Sequence, residues 1–353
     1  MAPSDAAAVE DSRILSFRRR IDNLSLAPLW EHARELLPPE PRPSAVPFVW
    51  GYEAVRSALD EASATMTTED AERRVLLLRN PGLDPLLATT PTLLAGVQML
   101  LPGEVALAHR HTAAAVRFVV EGTGAYTVTD GERTQMAPGD LVMTPSWTWH
   151  DHENEGAEPV LWLDGLDVPL VRALETGFFE LHPQPRQPVT KPVDDSKRRF
   201  VHATLLPRGG HPSASTPVVS YPWAVTERAL LAGADDPALR STMVTLDYVN
   251  PLSGGAVTPT LGCRAHLLRP GGTTLPRRET SSSIFHVVRG AGTSIVDGTA
   301  LAWSEKDVFA VPGWAEVAHT NASPSEPALL FSLTDEPAIR ALGMYRSAGA
   351  PAC

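Results

Sequence analysis

From Ser12 to about Leu37, apolar residues recur at helical spacing: Ile14, Leu15, Phe17, Ile21, Leu24, Leu26, Leu29, Trp30, Ala33 and Leu36. The pattern predicts a helical segment with one break near Asn23–Pro28. Pro38, Pro39, Pro41 and Pro43 stop it, and Tyr52–Ala62 predicts a further short helix. From about Thr92 the rhythm changes to short apolar runs between glycine turns, at Gly122–Gly124, Asp130–Gly131 and Pro138–Gly139. Such runs predict antiparallel strands. Leu181–Tyr221 is rich in proline, charge and glycine (Arg208–Gly210 among them) and is expected to be a long connector. Glu227–Leu231 and Ala238–Thr242 are expected to add short helices before strands resume.

The strand pattern occurs twice. The run His109–Gly124 aligns without a gap to Arg277–Gly292, and Pro91–Leu93 and Pro102-Gly103 match Pro259–Leu261 and Pro270-Gly271. After a one-residue deletion, Asp140–Asn154 matches Asp307–Asn321, with Pro145 on Pro312 and Trp147 on Trp314. Two copies of one antiparallel barrel of the jelly-roll kind are therefore expected, an all-β fold behind an N-terminal helical segment. The expected boundaries are residues 1–90 for the helical arm, 91–180 for the first barrel and 181–240 for the connector. Residues 241–340 form the second barrel and 341–353 a tail.

Composition narrows the setting. With 353 residues, 43% hydrophobic and 20% charged, the chain has the make-up of a globular protein with well-buried cores. Thirty basic against forty-one acidic residues leave a net charge of −11, which argues against a nucleic-acid partner. An anionic substrate gains nothing from that overall field, so local arginines or a metal must hold it. Runs such as Val75–Leu78 and Val97–Leu101 are too short to span a bilayer. Met1–Glu10 lacks the basic-then-apolar layout of a signal peptide. Cys263 and Cys353 suggest no disulfide framework, and a cytoplasmic location is expected.

The candidate chemistry lies in the first copy. In a strand, His109 and His111 point to one face while Arg110 points away. His150, arriving on another strand, completes three nitrogens for a metal with open positions. Gly103, five residues, His109-x-His111, then Gly139, five residues, Pro145, then His150 and Asn154 form the two-part signature of a cupin barrel. The second copy acts as an internal control. There His109 becomes Arg277, His111 becomes Glu279 and His150 becomes Val317, so the barrel does not require histidine at these positions and one metal per chain is expected. Spacing does not choose among zinc, iron, nickel and copper. The glutamate of many cupins is absent, its place taken by Ala115 and Val116. Arg117 lies six residues after His111, an even step on the same face, and its counterpart is Phe285. It disappears with the metal ligands and is read as a carboxylate contact. His152 keeps its counterpart, His319, and two readings stay open: support for the metal ligands or plain framework. His32, His182, His202, His211 and His266 are read as ordinary surface or core histidines.

The sequence resembles the bicupin ring-cleaving dioxygenases typified by gentisate 1,2-dioxygenase, with salicylate and 1-hydroxy-2-naphthoate dioxygenases as relatives. The resemblance covers nearly the whole chain and rests on Leu26–Trp30, Ala71–Val75, Asn80–Gly82, Pro102–Glu104, Ala108–Thr112, Arg117–Gly122 and Thr144–His152. It implies a mononuclear Fe(II) held by His109, His111 and His150, with O2 and an aromatic hydroxy acid as reactants. Ring opening falls between the carboxylate-bearing and the neighbouring hydroxyl-bearing carbons, as in gentisate to maleylpyruvate. It further implies a homotetramer, Arg73 as a second carboxylate contact, Gln98 near the substrate hydroxyl, and His152 with Asp164 as supporting partners. Leu94 stands where relatives commonly carry an aromatic residue, which is expected to reshape the pocket toward a bulkier or differently substituted ring. Two other classes remain at this level: a non-redox metal acting as Lewis acid, and a non-catalytic cupin that binds small aromatic acids.

Overall fold

The computed structural model describes residues 3–66, 73–200, 213–236 and 242–349. The chain divides into two compact units, residues 1–42 and 43–353. In the first, helix α1 (Pro3–Asp22) and helix α2 (Leu29–Leu36) realise the expected helical arm with its break. Phe17 stacks on Trp30 at 6.4 Å, and Arg18 pairs with Glu31 at 3.0 Å.

The second unit is built of strands. In chain order they are β1 (Phe48–Trp50), β2 (Val75–Leu77), β3 (Leu94–Leu100), β4 (Val105–His111), β5 (Ala115–Glu121), β6 (Ala125–Thr129), β7 (Glu132–Gln135), β8 (Leu141–Thr144), β9 (His150–Asn154), β10 (Val160–Leu166), β11 (Phe179–Leu181) and β12 (Ser220–Tyr221). The second copy follows as β13 (Met243–Asp247), β14 (Gly262–Leu268), β15 (Arg277–Glu279), β16 (Ser283–Arg289), β17 (Gly292–Val296), β18 (Thr299–Trp303), β19 (Val308–Val311), β20 (Val317–Asn321), β21 (Ala328–Thr334) and β22 (Ser347–Gly349).

Each copy is a six-stranded sheet facing a five-stranded one. The first has the orders β12-β8-β5-β10-β3-β2 and β11-β4-β9-β6-β7; the second has β1-β19-β16-β21-β14-β13 and β18-β17-β20-β15-β22. The six-stranded sheets are covered on both sides, and β3 is accordingly buried at all seven positions. Alternate residues divide the two sides. Leu100, Val119, Val142, Val160 and Trp162 fill the interior of the first barrel. Ala95, Val97, Phe118 and Leu163 join Ala265, Phe331 and Leu333 in a core between the barrels, where Phe118 stacks on Phe331 at 4.4 Å. Removing such a ring costs about 3–5 kcal/mol.

The two copies are tied reciprocally. Asp140 accepts from the Trp223 N–H (2.9 Å) at the start of helix Trp223–Asp235, and its repeat partner Asp307 accepts from the Tyr52 N–H (2.8 Å) at the start of helix α3 (Tyr52–Thr65). Asp167 accepts from Ala114 N–H and Thr260 Oγ1, while Asp335 accepts from Ser282 N–H and Thr92 Oγ1. Each barrel thus supplies the hydroxyl that satisfies the other's buried carboxylate.

The element boundaries differ from the sequence expectation at the joins. The arm supplies β1 to the second barrel and β2 to the first, and the connector supplies β12 to the first. The tail supplies β22 beside β15, as Phe179–Leu181 lies beside β4. These short edge strands carry little periodicity of their own and are recruited by unpaired backbone groups. Cys263 is buried in the inter-barrel core. Arg208–Gly210, His202, His211, Cys353 and most of Ala238–Thr242 lie outside the described residues. Among the described residues, no helix is long and apolar enough to cross a membrane.

Candidate metal centre

His109 and His111 leave β4 on one face, and the register pairs His109 directly with His150 of β9. One ligand nitrogen from each lies within 4.8 Å of the others. Ring centroids stand 4.1 Å apart for His109 and His150, 4.9 Å for His111 and His150, and 5.5 Å for His109 and His111. All three Nδ1 atoms face backbone carbonyls: Leu107 at 2.6 Å, Ala113 at 2.7 Å and Thr148 at 2.9 Å. A carbonyl accepts only, so each Nδ1 carries the proton and each Nε2 keeps its lone pair for the centre. The His150 Nε2 is buried without a partner.

Electrostatics agree with neutral, metal-ready rings. Burial, reinforced by the Arg73 guanidinium, pushes His109 down to about 3, and burial lowers His111 to about 4. Burial holds His150 and His152 well below the usual imidazole value. The corner before β9 is locked by Trp147, which adopts φ 59° and donates its N–H to the His111 carbonyl at 2.8 Å.

The structure brings the expected polar residues to the same barrel. Arg73 Nη1 reaches His109 Nε2 at 2.7 Å. Arg117 shares the interior face of β5 with Val119 and is cross-strand from Asp164 of β10. Its Nη1 donates to Thr144 Oγ1 at 2.6 Å, and its Nε lies 3.2 Å from Asp164 Oδ1, off hydrogen-bond alignment. Burial lowers the arginine and raises the aspartate. Leu94 and Gln98 are buried on the interior face of β3, Gln98 opposite Trp162. Gly96, between them, leaves room for Val75, whose Cγ1 would stand 2.8 Å from any Cβ there.

One expectation changes. Asp164 does not fix the His152 tautomer: its Oδ2 accepts from Trp162 Nε1 at 3.1 Å, its Oδ1 faces Arg117, and neither His152 nitrogen has a partner. The reason is register, since Asp164 lies directly across from Arg117. On His150, His152, Arg117 and Asp164 alone, five buried polar atoms lack hydrogen bonds: His150 Nε2, both His152 nitrogens, Arg117 Nε and Asp164 Oδ1. Such a concentration marks a site built for groups not in the polypeptide.

Three neighbours escaped the sequence reading. Thr144 orients Arg117, Trp162 holds Asp164, and the half-exposed Phe179 stacks on His109 at 5.5 Å beneath the Arg73 guanidinium. The repeat carried a signal for the first, because Thr144 aligns with the apolar Val311. Phe179 lies on a short edge strand without such a signal.

Two tandem jelly rolls, the first with three histidines placed to hold a metal ion, define a bicupin. Comparison with known proteins agrees: the cupin domain model matches residues 96–166. Gentisate 1,2-dioxygenase 1 of Aquipseudomonas alcaligenes is 40% identical over 335 residues, 94% of each chain. The 5-aminosalicylate 1,2-dioxygenase of a Comamonas species is 41% identical, over 91% of this chain and 86% of that one. The crystal structure of salicylate 1,2-dioxygenase from Pseudoaminobacter salicylatoxidans with gentisate superposes with TM-score 0.90 at 33% identity, covering 96% and 94% of the two chains. The chain belongs to the gentisate 1,2-dioxygenase family of aromatic ring-cleaving enzymes.

Proposed function

We propose that this chain is an Fe(II)-dependent dioxygenase that opens the ring of gentisate or a related ortho-hydroxy aromatic carboxylate. The reaction inserts both atoms of O2 between the carboxylate-bearing and adjacent hydroxyl-bearing carbons, giving maleylpyruvate from gentisate. The observation that carries the reading is the pairing of three Nδ1-locked imidazoles with two arginines in one buried chamber. The neutral nitrogen donor set fits a ferrous ion held by His109, His111 and His150. Iron supplies the one-electron chemistry that lets triplet O2 react with a closed-shell ring, which zinc lacks.

The remaining residues bind and orient. Arg117, held by Thr144 and Asp164, offers directed donors to the substrate carboxylate. A histidine nitrogen has one lone pair, so a metal at His109 Nε2 would displace the 2.7 Å contact of Arg73 Nη1 and turn that nitrogen toward the same carboxylate. Both cations counter the chain's overall charge of −11 where the anion must sit. His152, neutral and uncommitted, and Gln98 are assigned to the substrate hydroxyl side. Trp162, Val119 and Val160 form an apolar floor that keeps water from the reacting carbons. Leu94 lines the wall and sets ring size. The homotetramer and cytoplasmic location expected from the resemblance belong to this same proposal.

The test is an oxygen-electrode assay of Fe(II)-loaded protein with gentisate, salicylate and 1-hydroxy-2-naphthoate. Oxygen uptake equal to ring-opened product is expected with at least one of them. Absence of uptake across the panel, or equal turnover by zinc-loaded protein without O2, overturns the reading.

A further inference from the structure

Arg73 is followed by a second arginine that the site does not use. The Arg74 side chain is 2% exposed, and its Nη2 donates to Glu104 Oε1. Its Nε and Nη1 are buried without partners. Leaving such donors unsatisfied in a dry interior is unfavourable, so a plain packing position would not favour arginine here. Glu104 occupies the turn between β3 and β4. Its Oε2 accepts from Leu101 N–H at 2.7 Å, and its carbonyl accepts from the N–H of Asn154, the last residue of the His150 strand, at 3.1 Å. The Arg74 carbonyl accepts from Met99 N–H at 3.1 Å. The segment bearing Arg73 is thus fastened, through main chain and side chain of the next residue, to the turn that closes the metal-bearing sheet.

The second barrel tells whether the fold needs this tie. Register places Val75 opposite Gln98 and Thr245 opposite His266, the repeat partner of Gln98. Arg73 and Arg74 therefore correspond to Met243 and Val244, and Glu104 aligns with Gly272. The backbone bond survives, Asn321 N–H to Gly272 carbonyl at 3.0 Å, while the ion pair is gone. The barrel closes without the pair; the pair is present where the metal ligands are.

We propose that the buried Arg74–Glu104 ion pair is a positioning device that sets Arg73 at the height of the substrate carboxylate. Neither residue touches substrate. The inference rests on Arg73 as a carboxylate contact, and the test separates the two. Steady-state kinetics on gentisate, anaerobic binding followed by tryptophan fluorescence, and iron content are measured for Arg73→Ala, Glu104→Gln and the double variant. Glu104→Gln keeps size and an acceptor for Leu101 but removes the countercharge. It is expected to raise KM and the dissociation constant about 5- to 10-fold, with kcat within about twofold and iron retained. Arg73→Ala raises both at least ~10-fold, and the double variant is no worse than Arg73→Ala alone. An Arg73→Ala variant with unchanged KM overturns the role of Arg73. If Arg73→Ala weakens binding while Glu104→Gln only lowers the melting temperature, or if the two losses multiply, the positioning role falls. Should Glu104→Gln not fold, Arg74→Lys takes its place in the same cycle with the same expected non-additivity.

Discussion

The two barrels are one fold with two interiors. At equivalent positions the first holds His109, His111, His150, Arg117, Asp164 and Thr144, and the second holds Arg277, Glu279, Val317, Phe285, Ser332 and Val311. In the second, Arg277 and Glu279 pair at 3.3 Å where two imidazoles stand in the first. Phe285 stacks on Phe309 at 4.9 Å and packs on His319 at 5.0 Å, filling in the second barrel the space equivalent to the one Arg117 borders in the first. His319 is anchored through Nδ1 to Ser294 at 2.8 Å, whereas His152 has no partner. His266, the repeat partner of Gln98, bonds Ser332 Oγ at 2.8 Å. The second interior fills with rings and leaves only His319 Nε2 unmet among these residues; the first leaves five such atoms, on His150, His152, Arg117 and Asp164. Burial alone does not make the site, since both histidine sets are buried and neutral. The difference is in which polar groups remain without partners.

The comparison breaks most sharply at a ligand. His150→Val installs the residue that the second barrel already tolerates at that position. The fold is expected to survive, iron content to fall to near zero, and turnover to drop at least ~10³-fold. Metal analysis beside circular dichroism checks this, and a folded variant that keeps both iron and activity would refute the three-histidine centre. The next effect comes from the arginine. Arg117→Phe copies Phe285 but strands the Asp164 carboxylate, a loss of about 3–5 kcal/mol in stability. Adding Asp164→Ser, the second barrel's own pairing, is expected to restore the melting temperature. Substrate affinity should not return: kcat/KM on gentisate stays about 10²-fold down with iron retained. A variant that loses iron instead shows Arg117 to be part of the metal shell.

How far the sequence announced this arrangement follows from the physics of each part. The ligands were legible because a strand has period two and because the repeat supplied a copy without them. Arg117 was legible for the same reason. The Arg117–Asp164 pairing was not, because cross-strand register depends on which residues of two distant strands meet, here Asp164 with Arg117 rather than with His152. Arg74 and Glu104 lay in plain view, yet thirty residues separate them and only the docking of β2 beside β3 brings them together. The short edge strands β1, β12 and β22 were invisible, since two or three residues carry no pattern. What they do is fixed by unpaired backbone edges on the barrels, a tertiary property.

The smallest effect sharpens the comparison from the other side. Arg277 and Glu279 are half-buried, share one face of β15 and pair across the former ligand positions, with Glu279 also accepting from Ser281 Oγ at 3.4 Å. If the second barrel is a scaffold, neutralising this pair by Glu279→Gln leaves a polar side chain of the same shape and removes one partly screened attraction, worth about 0.2–1 kcal/mol. In a unit of this size that moves the melting temperature by at most about 2–4 °C. The catalytic constants on gentisate should stay within about twofold and iron content should not change, because the tie between barrels runs through Asp167 and Asp335, just past the ends of β10 and β21. Calorimetry and steady-state kinetics on the same preparation decide it. A fall in kcat out of proportion to the melting shift would mean that the second interior acts on the first, and the division into a working barrel and a supporting one would have to be abandoned.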